Sequence, residues 1–260
     1  MRYKVLCGYI RQRWDCGDTV EIEEKHTGKY GARGQTREKK RKATPEEIKK
    51  HNQWKRERDV RRLIKWNFRE RDYWITLTYP KDYRPTWEEM KDHAGKLVRK
   101  MREKYKKQGW TLKYIYRLAI GSRGGRHIHI LINRESNEKT ATDLIITDLW
   151  EQQWGHGHVN FRTTYSEGGY KQLAEYLTKP LEEWEPDEVK RYHPSRNLIR
   201  KDPEVDEIKR RSLVDRDGKP RMPKAPKGYY VDSESIEVGI NPITHYAYRH
   251  YTLIKIKKRE

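Results

Sequence analysis

The sequence predicts an α+β fold, a mainly antiparallel sheet flanked by helices. Between residues 74 and 179, short β-branched and aromatic runs are interspersed with longer stretches of helical period. Two of the runs, Tyr114–Ile120 and His127–Ile132, are joined by the turn Gly121-Ser122-Arg123-Gly124-Gly125, so they pair as a hairpin. The resulting order is strand, helix, strand, strand, helix, strand, helix, which suits an antiparallel sheet with helices packed on it.

Each element has a local reason. Thr44 is an N-cap, Pro45 fits the first turn and Glu47 completes a capping box, so a helix begins there; Val60, Leu63, Ile64 and Phe68 form its apolar stripe. Trp74 to Tyr79 reads as a strand stopped by Pro80. Thr86 and Glu89 make a second capping box, ahead of Met90, Ala94, Leu97, Val98, Met101 and Tyr105 at helical spacing. After the hairpin, a helix over about 142–154 ends at Gly155, a strand over about 158–162 follows, and a helix over about 167–179 stops before Pro180.

Composition divides the chain further. Residues 1–43 read as a basic N-terminal segment, with a mobile arm over 31–42, and residues 44–180 as the folded domain. Residues 181–228 are charged and contain six prolines, which suits an extended, partly disordered connector. Residues 229–260 regain strand character as a β-rich extension, which either adds to the main sheet or stands as an appendage.

Charge sets the class of partner. The 260 residues carry 59 Lys and Arg against 39 Asp and Glu, a net charge of +20, which calls for a polyanion, most simply nucleic acid. Between residues 31 and 71 alone there are 16 basic and 6 acidic side chains. With 18 Tyr and 9 Trp but only 2 Phe, the aromatic inventory favours rings able to stack on bases as well as pack. A membrane surface is the weaker alternative, because the chain has no long apolar run and no hydrophobic amphipathic anchor. Two cysteines, Cys7 and Cys16, exclude a four-cysteine zinc site and suit a reduced, cytoplasmic setting.

The candidate chemistry centres on Arg126-His127-Ile128-His129-Ile130-Leu131-Ile132. Side chains alternate across a strand, so His127 and His129 share one face while Ile128, Ile130 and Ile132 take the other. Two imidazoles side by side are a natural holder for a divalent metal. In the last helix, Tyr170, Leu173, Ala174 and Leu177 form the buried stripe, and Tyr176 is presented with Lys179 one turn away. His156-Gly157-His158 is a second pair, read as structural because a glycine at a corner leaves its geometry loose. Arg123 and Arg126 flank the hairpin and are candidates to grip backbone phosphates.

Three of these stretches, in this order, resemble the HUH endonuclease superfamily, specifically the rolling-circle replication initiators of plasmids and phages. They are Ile75-Thr76-Leu77-Thr78-Tyr79-Pro80, His127-Ile128-His129 and Tyr176-Leu177-Thr178-Lys179. The resemblance implies a central five-stranded, ferredoxin-like or RRM-like palm. It implies that His127 and His129 bind Mg²⁺ or Mn²⁺, and that Tyr176 attacks single-stranded origin DNA or an origin hairpin with Lys179 as supporting cation. The product is a 5′-phosphotyrosine link and a free 3′-OH. The chain departs from the family at Ala119, where a carboxylate ligand is expected; Glu175 is a substitute donor. No Walker phosphate loop is present, so a host helicase is expected as partner. The alternatives are an origin-binding module of the same fold that does not cut, and a basic RNA-binding protein.

Overall fold

The computed structural model describes residues 8–28, 42–165, 167–186 and 190–256. In chain order the elements are β1 (Tyr9–Asp15), β2 (Thr19–His26), α1 (Pro45–Asn67), β3 (Tyr73–Thr78), α2 (Trp87–Lys107), β4 (Tyr114–Ile120), β5 (Arg126–Ile132) and α3 (Thr142–Thr147). A π-helical turn over Asp148–Gln153 continues α3, followed by β6 (Val159–Thr163), α4 (Lys171–Thr178), β7 (His193–Pro194), β8 (Glu204–Ile208), β9 (Tyr229–Val231), β10 (Glu237–Ile240) and β11 (Ala247–Lys255). These divide into two compact units, residues 53–199 and residues 1–52 with 200–260.

The first unit is the expected α+β sandwich. Its five strands run in the order β6-β3-β5-β4-β7, every neighbouring pair antiparallel. Ile75, Leu77, Ile128, Ile130, Ile132 and Leu118 face α2 and α3, where Met90, Ala94, Leu97, Met101, Ile146 and Trp150 close the main core. Ile115 and Leu131, on the opposite face, pack under Val60, Leu63 and Ile64 of α1 and Ala174 and Leu177 of α4. Burial of both faces accounts for the β-branched density of β3 to β5. Both capping boxes form: Glu47 N–H donates to Thr44 Oγ1 at 3.2 Å, and Glu89 N–H to Thr86 Oγ1 at 3.2 Å.

Four sequence expectations are corrected. The helix expected over 167–179 is broken: a 3₁₀ turn over Glu167–Tyr170 precedes α4, and Tyr170 sits between them at φ 61°, in the left-handed region. Tyr170 is nevertheless buried as expected. The segment read as a connector contributes β7 to the first sheet, Leu198 to its second core, and β8 to the other unit. Proline is tolerated at Pro194 because β7 is an edge strand. The N-terminal segment is partly folded, because β1 and β2 form a hairpin. The 229–260 extension joins that hairpin: β10-β11-β2-β1-β8, with β9 on β11, make a separate six-stranded sheet. The alternation of β2 is masked in sequence by buried carboxylates. Glu24 is fully buried and meets Arg11 at 2.7 Å and Arg249 at 2.5 Å. The basic arm expected over 31–42 lies, but for Lys42, outside the described residues.

One turn is glycine-specific. Gly157 has φ 125°, and a Cβ there would lie 2.2 Å from the Thr78 carbonyl oxygen at the end of β3. That oxygen already accepts from His158 N–H and Trp150 Nε1–H, so it cannot retreat. Gly157→Ala should therefore lower unfolding stability by about 3 kcal/mol or more in a urea titration. Gly125→Ala, in a turn with nothing within 4 Å of the new methyl, should stay within about 0.5 kcal/mol.

Candidate active site

The site is built on rungs of the five-stranded sheet. Across β6, β3, β5 and β4, Asn160, Thr76, His129 and Arg117 occupy one rung, and Thr78, His127 and Ala119 the next across β3, β5 and β4. All lie on the face that α1 and α4 cover lower down. The two imidazoles are therefore side by side, with ring centroids 4.7 Å apart.

Both rings are held from behind. His127 Nδ1 lies 3.3 Å from the Gly125 carbonyl, which can only accept, so Nδ1 carries the proton and Nε2 keeps its lone pair. His129 Nδ1 meets Thr76 Oγ1 at 3.1 Å. Its Nε2 is shielded from solvent and has no hydrogen-bond partner. The Trp74 ring lies parallel to His129 at 5.3 Å, and the Tyr176 ring meets it edge-on at 4.8 Å. Burial, reinforced by His127, Arg117 and Arg162, pushes His129 down to about 3. Burial also lowers His127, with Arg117 adding to it, against the Gly125 bond and Glu185. Both are neutral imidazoles at pH 7, the form that ligates metals.

Tyr176 reaches this face from α4, and a residue absent from the sequence reading holds it there. Arg117 is 3% exposed. Its Nη1 donates to the carbonyls of Tyr176 at 3.2 Å, Leu177 at 3.4 Å and Lys179 at 2.7 Å, capping the C-terminus of α4. Its Nη2 pairs with Glu185 at 3.4 Å, and its guanidinium carbon is 6.0 Å from the Tyr176 ring centre. Glu185 Oε1 accepts from Ile120 N–H at 3.3 Å and Oε2 from Glu182 N–H at 3.0 Å. Burial pushes the Tyr176 hydroxyl up to about 12, with Arg117 pulling down and Glu185 up.

The other expected site residues lie further out. Lys179 ends α4, and its ammonium pairs with Glu182. The cation facing Tyr176 is Arg117. Arg126 is spent on backbone carbonyls, Pro85 at 3.2 Å and Gly124 at 2.8 Å, which braces the hairpin turn. Arg123 is exposed in that turn, and Glu175 is exposed on α4. His158 pairs with Glu151 at 2.8 Å, while His156 stacks on His93 at 4.1 Å in an aromatic cluster with Tyr79 and Trp150.

The donor set fits a divalent metal only in part. The orphaned His129 Nε2, the free lone pair of His127 and the oxygen partners behind both rings are what an imidazole site needs. Ala119 is opposite His127 in register, and among the described residues no group of three or more His, Cys, Asp and Glu converges. The remaining positions would fall to water and substrate oxygens, a set better suited to Mn²⁺ than to Mg²⁺.

Sequence offered one signal for Arg117, a lone charge inside an otherwise apolar and aromatic strand. Glu185 had none, lying in the segment read as a connector.

The fold and site thus define an α+β protein in which a strand-borne histidine pair meets a helix-borne tyrosine. Residues 72–181 match a family model of replication-associated proteins, the ORF2 type. The match runs from β3 through α4, so it contains His127, His129, Arg117 and Tyr176, and it makes this part of the chain similar to replication-associated proteins. No curated protein and no solved structure matches the chain.

Two outcomes follow. Arg117→Ala strands a buried carboxylate and should cost about 3–5 kcal/mol in denaturant unfolding, while Arg117→Met with Glu185→Leu should recover part of the loss. For His129 the folded value lies below the ordinary 6.5, so the unfolded chain takes up the proton first. Its stabilisation is complete above pH 6.5 and is lost as pH falls toward 3. The stability of wild type relative to His129→Asn should therefore shrink by on the order of 2–4 kcal/mol over that window.

Proposed function

We propose that the protein is a replication initiator that nicks single-stranded origin DNA through Tyr176 and remains joined to the 5′ end. The observation that carries this reading is the Tyr176 ring against the imidazole pair, 4.8 Å from His129, which is itself 4.7 Å from His127. The family match over residues 72–181 supports a replication role, and the net charge of +20 supports a DNA substrate.

In this mechanism the Tyr176 oxygen attacks phosphorus, the bond from phosphorus to the 3′ oxygen breaks, and a 5′-phosphotyrosine and a 3′-OH result. The phenol proton leaves to solvent, and the 3′ oxygen takes one up. A Mg²⁺ or Mn²⁺ ion held by His127 and His129 would neutralise charge on the scissile phosphate. Tyr176 is protonated at neutral pH, so it depends on positive charge nearby, and Arg117 is the protein group that lowers its hydroxyl. Arg117 also holds the end of α4, keeping the phenol over the histidines. Lys179, once released from Glu182, and Arg123 and Arg126 on the hairpin are the candidates for backbone phosphate contacts. Strand separation would fall to a host helicase. Among the described residues no helix is long and apolar enough to cross a membrane.

A second reading, an origin-binding module of the same fold that does not cut, draws on the absence of a carboxylate at Ala119. A denaturing gel with origin single strands and Mn²⁺ separates the two. Wild type should give a covalent protein–DNA adduct whose rate of formation rises with pH above 7, and Tyr176→Phe should give none. DNA binding without any adduct from wild type would favour the module.

A further inference from the structure

Among the described residues, Trp184 is the one large exposed aromatic whose indole nitrogen is fixed to the strand bearing the site's Arg117. The side chain is about half exposed, yet its Nε1–H donates to the Ile120 carbonyl at 2.7 Å, at the end of β4. The next residue, Glu185, accepts from Ile120 N–H and pairs with Arg117. Its charge acts on both His127 and Tyr176. The turn from Glu182 to Glu185, closed by a 2.9 Å backbone bond, thus clips onto the edge of β4 through two consecutive side chains. One reaches in toward the site and the other stands at its margin. Ile120 is opposite Arg126 in register, so Trp184 adjoins the hairpin end from which His127 projects.

An indole with its only donor already satisfied offers a ligand nothing but its ring faces. A rigid, half-exposed π-surface carries little ordering cost on contact. A flat, unpaired nucleobase beside the scissile phosphate is the ligand that matches it. We propose that Trp184 is a nucleobase subsite that stacks one unpaired base flanking the phosphate presented to Tyr176. The inference rests on the single-stranded DNA reading of the site. It deepens that reading by requiring that the strand enter with its bases unpaired. Residues 72–181 alone, the part similar to replication-associated proteins, do not include this subsite.

The test is fluorescence anisotropy of the full chain, in EDTA to prevent cleavage, with a labelled mixed-sequence single strand and with the matched duplex. Trp184→Ala should weaken single-strand binding roughly tenfold, the worth of one stacked base, and leave duplex binding within about twofold. Trp184→Phe keeps a ring but lacks the bond to Ile120, and should bind within about threefold of wild type. The proposal is overturned if Trp184→Ala binds single strands as wild type does, or weakens both strands alike. It is also overturned if Trp184→Phe falls as far as Trp184→Ala, which would make the indole only an anchor for the turn. Failure of the nicking reading looks different: the adduct is absent, while the Trp184→Ala loss on single strands persists.

Discussion

The Arg117 guanidinium is the constraint on which the rest of the site depends. It sits on β4 directly across from His129, buried in the sheet face, and is used from both ends. One nitrogen gathers the last carbonyls of α4, and the other meets Glu185. A helix as short as α4, eight residues, has little stability of its own. What holds it over the histidines is Ala174 and Leu177 in the second core and a cation at its C-terminus. Through that capping contact, a strand residue determines where a helix residue's phenol lies.

The same cation sets the electrostatics. A guanidinium beside two imidazoles keeps both neutral, and beside a half-buried phenol it favours the phenolate. Glu185 opposes it at His127 and Tyr176. An ion pair this well buried adds little net stability, since desolvation offsets most of the attraction. Its consequence is geometric: the turn at 182–185, the end of α4 and the edge of β4 share one charge pair, so none can shift without exposing an unpaired charge. The aromatic stack of Trp74, His129 and Tyr176 adds a dry wall on the other side. The oxygen ligand that a hard cation would want has no counterpart in this arrangement, which leaves the substrate's own oxygens as the natural complement.

Much of the central unit was legible from local rules. Capping residues such as Thr44 and Thr86 act within a few residues of themselves, and the alternation through Ile128, Ile130 and Ile132 assigns a face without reference to anything distant. The N-terminal hairpin was hidden for the opposite reason. Glu21, Glu23 and Glu24 are buried charges whose partners include Arg249, more than two hundred residues away, so no local pattern marks β2 as a core strand. The segment after Pro180 was misread because its charges and prolines resemble those of a solvated linker. Its buried members, Glu185 and Leu198, are buried by what they meet rather than by their composition.

The sequence by itself determined the α+β class, the facing pair His127 and His129, and the presentation of Tyr176 on a helix, because strand and helix periods are local geometry. Only the tertiary structure decided that Arg117, rather than Lys179, faces the tyrosine, and that Glu185 and Trp184 join the site. It also decided that Ala119 leaves the metal face without a carboxylate donor. These are contacts between segments far apart in the chain, and a long-range contact has no period to read.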